Sequence, residues 1–439
     1  MKKRKNLSLF LSLVITLSLC LGLIGCSKSN TNTSNKDASE KKDFKGTEIT
    51  ALLPPWYKFS DEMLKDFEKE TGIKVKLEIM EWDSLVDKVL TSCASGVAPA
   101  DVTEFSWDWV SKFGKAKWYE PLNKYFDKES LKDITTKDIF KYKDDYLAIP
   151  IYNDFRLTYL NTAYFKKAGI TENPKNIDEL LKAAITMKEK GVVKYPITIP
   201  FSATAGTTTP WFLMTKAYGG DLFDENFKPL FLDKDSAGYK AMDFLIKGLK
   251  DYKIIDPASV GMQGTDVVES FKNGNSAIDL AGWAGNVSSY TNPKESKIAD
   301  TLEVIQVPGL NGKSRTYGLH EAIGIPAAST KKDAAAEFIK WLNKPEVVKK
   351  LFIELGIFPN HQSTIDQLIK EKKLYGGEAI SKAMPTIEPL FKQGAPVWYT
   401  EFETDVATTM NQMAKGSLTV DAGLKHIAEK AEKLAKENK

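Results

Sequence analysis

Apolar and polar positions along this chain switch repeatedly between two periods. Ile73 to Ile79 alternates apolar and charged residues, as a half-buried strand does. Trp82, Leu85, Val86, Val89, Leu90 and Cys93 then recur at spacings of three and four, which predicts an amphipathic helix ending at Gly96. The same switch predicts strands at 48–53, 101–105, 146–151, 157–160, 276–280, 304–307 and 324–326. Helices are expected from Ser60, a cap followed by Asp61 and Glu62, to Gly72, and from Asn176, with Glu179 closing a capping box, to Gly191. Further helices are expected at 209–218, 235–251 and 265–273. From Lys332 the pattern is mainly helical, broken at Pro345, Gly356, Pro359, Gly376-Gly377 and Gly394-Ala395-Pro396. Strands alternating with helices in this order predict an α/β fold built on parallel sheets covered on both faces.

The first 26 residues follow neither period. Lys2, Lys3, Arg4 and Lys5 precede an uncharged run from Leu7 to Ile24, the layout of a secretory leader. Leu23-Ile24-Gly25-Cys26 resembles a bacterial lipobox, which implies that residues 1–25 are removed and that Cys26 carries lipid. More than one acyl chain then holds the protein on a membrane. Residues 26–43 read as the lipidated cysteine and a flexible tether, because Ser27 to Lys42 offers nothing larger than one alanine to bury.

Composition narrows the partners. The chain of 439 residues has net charge +3, and the leader carries four positive charges, so the remainder sits near −1. No basic excess is available to neutralise phosphates, and nucleic acid is not an expected partner. Cys93 is left alone after Cys20 and Cys26, so no internal disulfide is expected, and it reads as a buried apolar residue. His320, His361 and His426 are scattered, without triad or metal-ligand spacing, so neither a metal nor a cofactor is expected and the chain reads as a non-enzyme.

Five stretches, in order, carry a resemblance. Phe67 to Val75, Ala98-Pro99-Ala100-Asp101-Val102, Tyr159 to Phe165, Ala281-Gly282-Trp283-Ala284-Gly285, and Ala334 to Leu342 with Gly356 and Pro359 resemble the extracellular solute-binding proteins of ABC importers. The family normally reads Pro-Asp-Val where Ala100 intervenes here. The resemblance covers most of residues 46–430. It implies two α/β lobes with a ligand cleft between them, a monomer that hands ligand to the transmembrane subunits of an ABC permease. The lobes are expected at 44–152 plus 309–359 and at 153–308 plus 360–439. The crossing segments are expected near 150–158, 304–310 and 358–364, each with a proline (Pro150, Pro308, Pro359) that restricts how the lobes swing.

Ligands of open α/β sheets sit beyond the carboxyl ends of strands, and there this chain is rich in aromatic residues. Trp56, Trp107, Trp109, Trp283 and Trp398-Tyr399 follow predicted strands or breaks, and Trp211 opens a helix, whereas Trp82 and Trp341 lie on helical faces and are assigned to the core. Flat rings with carboxylates at their edges suit a sugar. Carried over by position, the resemblance implies substrate contacts from Trp56, Phe105, Asp108, Asp154, Trp211, Trp283 and Trp398, and Tyr399 joins them as the aromatic residue beside Trp398 after the same break. The expected ligand is a carbohydrate, an oligosaccharide in particular. Aromatics with acids also suit a polyamine, and a secreted glycoside hydrolase would show a comparable set.

Overall fold

Strands β1 (Thr47–Leu53) and β2 (Ile73–Ile79) lie parallel, in register from Thr47 opposite Ile73 to Leu53 opposite Ile79. The computed structural model describes residues 43–438, so the expected leader at 1–25, the expected lipid site Cys26 and the expected tether at 27–42 lie outside the described residues. Helix Asp61–Thr71 joins the two strands. The Ser60 hydroxyl accepts the Met63 N–H at 3.2 Å to start it, and Gly72 ends it at φ 77°. A Cβ at Gly72 would stand 3.0 Å from the Lys45 backbone, so the turn and the close approach both favour glycine there.

The strands that follow are β3 (Val102–Ser106), β4 (Ala148–Tyr152), β5 (Arg156–Asn161), β6 (Ile197–Thr198), β7 (Ile278–Trp283), β8 (Leu302–Ile305) and β9 (Glu321–Gly324). They form two sheets, ordered β2-β1-β3-β9-β4 and β8-β5-β7-β6. Each sheet is the centre of one α/β lobe. Neither is wholly parallel, which corrects the expectation. β9 runs antiparallel to β3 and β4, and β5 runs antiparallel to β7 and β8. The cause is topological: each of these strands begins just after the chain crosses from the other sheet, so it enters its own sheet from the shared edge. Parallel strands run toward that edge, and a strand starting there must run away from it.

Packing follows the sheets. Phe67, Phe338 and Trp341 cover one face of the first, and Phe105, Trp109 and Phe113 the other. Trp341 is core, as expected; Trp82 is half-buried and stacks on Trp109 at 5.9 Å. Cys93 is buried and free, and burial pushes its thiol up to about 11. The second sheet is covered by Trp211, Phe212 and Phe402 on one side and by Phe271 and Tyr290 on the other. Among the described residues, no helix is long and apolar enough to cross a membrane, and no group of side chains is arranged to hold a metal ion.

Asn153 to Phe155 carries the chain from β4 into β5. The return falls later than expected. Residues 309–317 belong with the second sheet, because Thr316–Tyr317 pairs with Ile387–Glu388 and Tyr317 is buried against Phe212. The chain comes back only between Gly318 and Glu321, so Pro308 is not in a crossing, and Pro150 lies within β4. At Gly318 a Cβ would be 1.8 Å from the Asp154 carbonyl oxygen, so only glycine lets these two crossings touch. The last crossing, at Phe358–Asn360, is stitched to the first. Asn153 N–H donates to Phe358 O at 3.0 Å, Asn153 Nδ2 to Pro359 O at 3.1 Å and Asn360 Nδ2 to Pro150 O at 2.7 Å.

Candidate functional site

The shared edge gathers the carboxyl ends of β1, β3, β4 and β7 and the starts of β5 and β9. From the first lobe it collects Tyr57, Ser106 to Asp108, Tyr152 to Asp154 and Glu321; from the second, Arg156, Trp283, Tyr317, Tyr399 and Glu403. Arg156 opens β5 directly opposite Trp283, the last residue of β7. Its guanidinium lies 5.5 Å from the Trp283 ring and 5.9 Å from the Tyr317 ring, and Nη1 donates to Asp154 Oδ1 at 2.5 Å. Burial raises the Asp154 carboxyl above its usual range, more than Arg156 lowers it.

A second group of acids stands beside this pair. Asp108 accepts a hydrogen bond from the Thr400 hydroxyl at 3.2 Å, and burial raises its carboxyl. Half-buried Glu403 accepts from the Tyr399 hydroxyl at 3.1 Å and from Thr208 at 3.2 Å. Burial and then the nearby Asp108 push the Glu403 carboxyl up to about 8. Deeper in the first lobe, the fully buried Glu104 carboxyl lies against the buried Tyr57 hydroxyl and Glu321. Ser106 reaches Glu321 at 3.5 Å. Glu104 and Glu321 are both held well above the usual carboxylate range, first by burial and in Glu321 also by the charge of Glu104. The site is therefore rich in carboxyl groups that hold a proton easily. A carboxyl in that state donates as well as accepts hydrogen bonds, which suits hydroxyl groups.

Two predicted aromatic residues keep accessible faces. Trp283 is 39% exposed and Trp56 is 40% exposed, the latter leaning on Trp82 at 5.9 Å. Trp283 also walls a cavity of about 30 Å³ with Thr209, Asp279 and Asn286. A larger open hollow of about 500 Å³, lined by Lys65, Lys69 and Lys74 among others, lies at the amino end of β1, away from this edge.

Of the expected contacts, Asp108, Asp154 and Tyr399 lie at the shared edge, Tyr399 buried with its ring 5.0 Å from Trp107. Three predicted contacts are not available. Phe105 is fully buried, edge-on to Trp109, Phe113 and Tyr119, because its position in β3 faces the helices rather than the edge. Trp211 is fully buried in the second core, with Nε1 donating to Gly238 O at 2.8 Å. Trp398 caps helix Tyr399–Lys415 from inside, packed on Phe223, Phe227 and Phe402. Arg156, Glu104, Glu321, Glu403 and Trp107 were not among the predicted contacts. Glu104 did carry a signal, being a charge inside the buried run Val102-Thr103-Glu104-Phe105.

The sequence profile of the bacterial extracellular solute-binding proteins matches residues 50–349. The chain belongs to that family. This solute-binding protein is 26% identical over 370 residues to a probable amino-acid ABC transporter periplasmic-binding protein of Sinorhizobium fredii, covering 80% of this chain and 81% of the relative. It is 27% identical to the diacetylchitobiose-binding protein of Streptomyces coelicolor, covering 86% of each. In structure it is similar to maltose-bound MalE3 of T. maritima, with a TM-score of 0.79 at 20% sequence identity over 88% of this chain and 100% of that one. That likeness establishes the two-lobed fold. Extracellular solute-binding proteins act outside the cytoplasm, and these relatives are binding proteins rather than enzymes.

Proposed function

We propose that this solute-binding protein holds a carbohydrate between its lobes and delivers it to the membrane subunits of an ABC importer, tethered to the membrane by lipid on Cys26. The observation that carries the reading is Trp283, an exposed ring at the carboxyl end of β7 beside a set of desolvated carboxyls. A sugar lays its C–H face on such a ring and its hydroxyls on the acids. Asp108, Asp154 and Glu403 are the acids assigned to those hydroxyls, and Trp56 supplies a second ring from the first lobe. The diacetylchitobiose-binding relative and the maltose-bound neighbour support the same ligand class.

The mechanism is a population shift. Solute that touches both lobes favours their closed arrangement by its differential affinity for it. The amino-acid reading suggested by the Sinorhizobium relative needs an arginine and an acid free to clamp a zwitterion, whereas Arg156 and Asp154 are engaged with each other. A thermal-shift screen of the purified protein against mono- and oligosaccharides, spermidine and amino acids tests the proposal. At a thousand times the dissociation constant, a true ligand stabilises by about 4 kcal/mol. Stabilisation by spermidine or amino acids alone would overturn the carbohydrate reading.

A further inference from the structure

We propose that Trp107 is a latch between the lobes, which favours closure by direct contact and blocks one end of the cleft to long ligands. The second half rests on the reading of the cleft as a carbohydrate site. Trp107 follows β3 in the first lobe, and its backbone N–H donates to His320 O at 3.2 Å, which pins it where β3 meets the returning crossing. Its ring stacks on Phe391 of the second lobe at 6.4 Å and 24°, and lies 5.0 Å from the Tyr399 ring. Half-buried, it packs against the hydrophobic cores of both lobes. The next residue repeats the crossing in polar form, since Asp108 accepts the Thr400 hydroxyl at 3.2 Å. Trp109 turns the other way, into the first core against Phe105 and Phe113. A two-residue bridge therefore runs from the end of β3 to the start of helix Tyr399–Lys415.

Two consequences follow. The bridge is made of protein atoms alone, so its strength adds to closure whatever solute is present. An aromatic pair of this kind shifts such an equilibrium by roughly 2- to 12-fold. The faces of Phe391 and Tyr399 that Trp107 covers are closed to a sugar ring, which leaves stacking to the exposed rings of Trp283 and Trp56. A groove stopped at one end takes a mono- or disaccharide more readily than a long chain, which would revise the expectation of an oligosaccharide.

The test compares the parent protein with Trp107→Ala and Trp107→Phe, each checked for native circular dichroism. Small-angle X-ray scattering reads the radius of gyration in buffer, and calorimetry reads binding of glucose, maltose and maltohexaose. Trp107→Ala is expected to be more extended than the parent and to gain at least threefold in its preference for maltohexaose over glucose, while Trp107→Phe stays close to the parent. Equal radii of gyration for the parent and Trp107→Ala would overturn the latch. An altered radius with an unchanged preference would overturn the length limit. An altered radius in a protein that binds no sugar of any kind would support the latch and sink the carbohydrate reading separately.

Discussion

Arg156 and Trp283 are register partners on adjacent antiparallel strands, and the guanidinium of one lies 5.5 Å from the ring of the other. The pair links the first crossing to the exposed aromatic face. Removing the ring and removing the charge should therefore have different effects. Trp283→Ala is expected to lose ~1–3 kcal/mol of sugar affinity, taking base–aromatic stacking as the measure of a ring on a ring. Its urea midpoint should stay near that of the parent. Arg156→Ala strands a buried carboxylate at Asp154 and should cost ~3–5 kcal/mol of stability. Titration calorimetry and urea denaturation separate the two effects, and a Trp283→Ala protein with undiminished affinity would remove Trp283 from the site.

Phe105, Trp211 and Trp398 give the opposite pattern. Each fills a core, so truncation to alanine should cost ~3–5 kcal/mol in denaturant unfolding. The fraction that remains folded should bind with close to parental affinity. A loss of affinity without a loss of stability at any of the three would restore that residue to the site.

The Glu403 carboxyl, at about 8 instead of its ordinary 4.5, predicts a pH dependence of stability. Between those values the folded protein holds a proton that the unfolded chain has released, so stability falls as pH rises, down to a plateau above pH 8. His320, lowered to about 4 by burial, acts in the opposite sense between pH 4 and its ordinary 6.5, because there the unfolded chain binds the extra proton. The loss should therefore be seen most clearly from about pH 6.5 to 8, on the order of 1–2 kcal/mol once solvent screening at a half-buried group is allowed for. Melting curves of the parent and Glu403→Gln should converge at low pH and diverge over this window, with the variant the more stable. Parallel curves would show that Glu403 ionises normally.

A Cys26→Ala protein should bind solute like the parent yet leave the membrane fraction when cells are fractionated. Retention in the membrane would mean that residues 7–24 anchor the chain as a spanning segment and that the lipobox reading is wrong.

Much of this fold can be read in the sequence because its local signals agree. Ser60 caps the helix it was expected to cap, and Asn176 accepts the Glu179 N–H at 2.9 Å as predicted. Strand direction is different in kind. Nothing in the composition of Glu321-Ala322-Ile323-Gly324 says that it runs against β3, because direction depends on which edge the chain enters from. The acids Asp108 and Asp154 were legible because they follow strands and end up at the shared edge. Trp398 was not. A ring after a Gly-Ala-Pro break is free to point outward or inward, and here Phe223, Phe227 and Phe402 form the pocket that takes it. Arg156 has the same problem in reverse, since its meaning comes from Trp283, more than a hundred residues away.

The hydrogen bonds that join Asn153 to Phe358 and Asn360 to Pro150 make two of the three connections into a single strut. A body held by one doubled strut and one thin link at Gly318 turns about an axis near the strut, because sliding would break every bond in it. The free energy of solute binding then acts on one coordinate, the opening angle. The side chains that meet across the lobes, Trp107 against Phe391 and Tyr399 among them, then set how easily that angle opens.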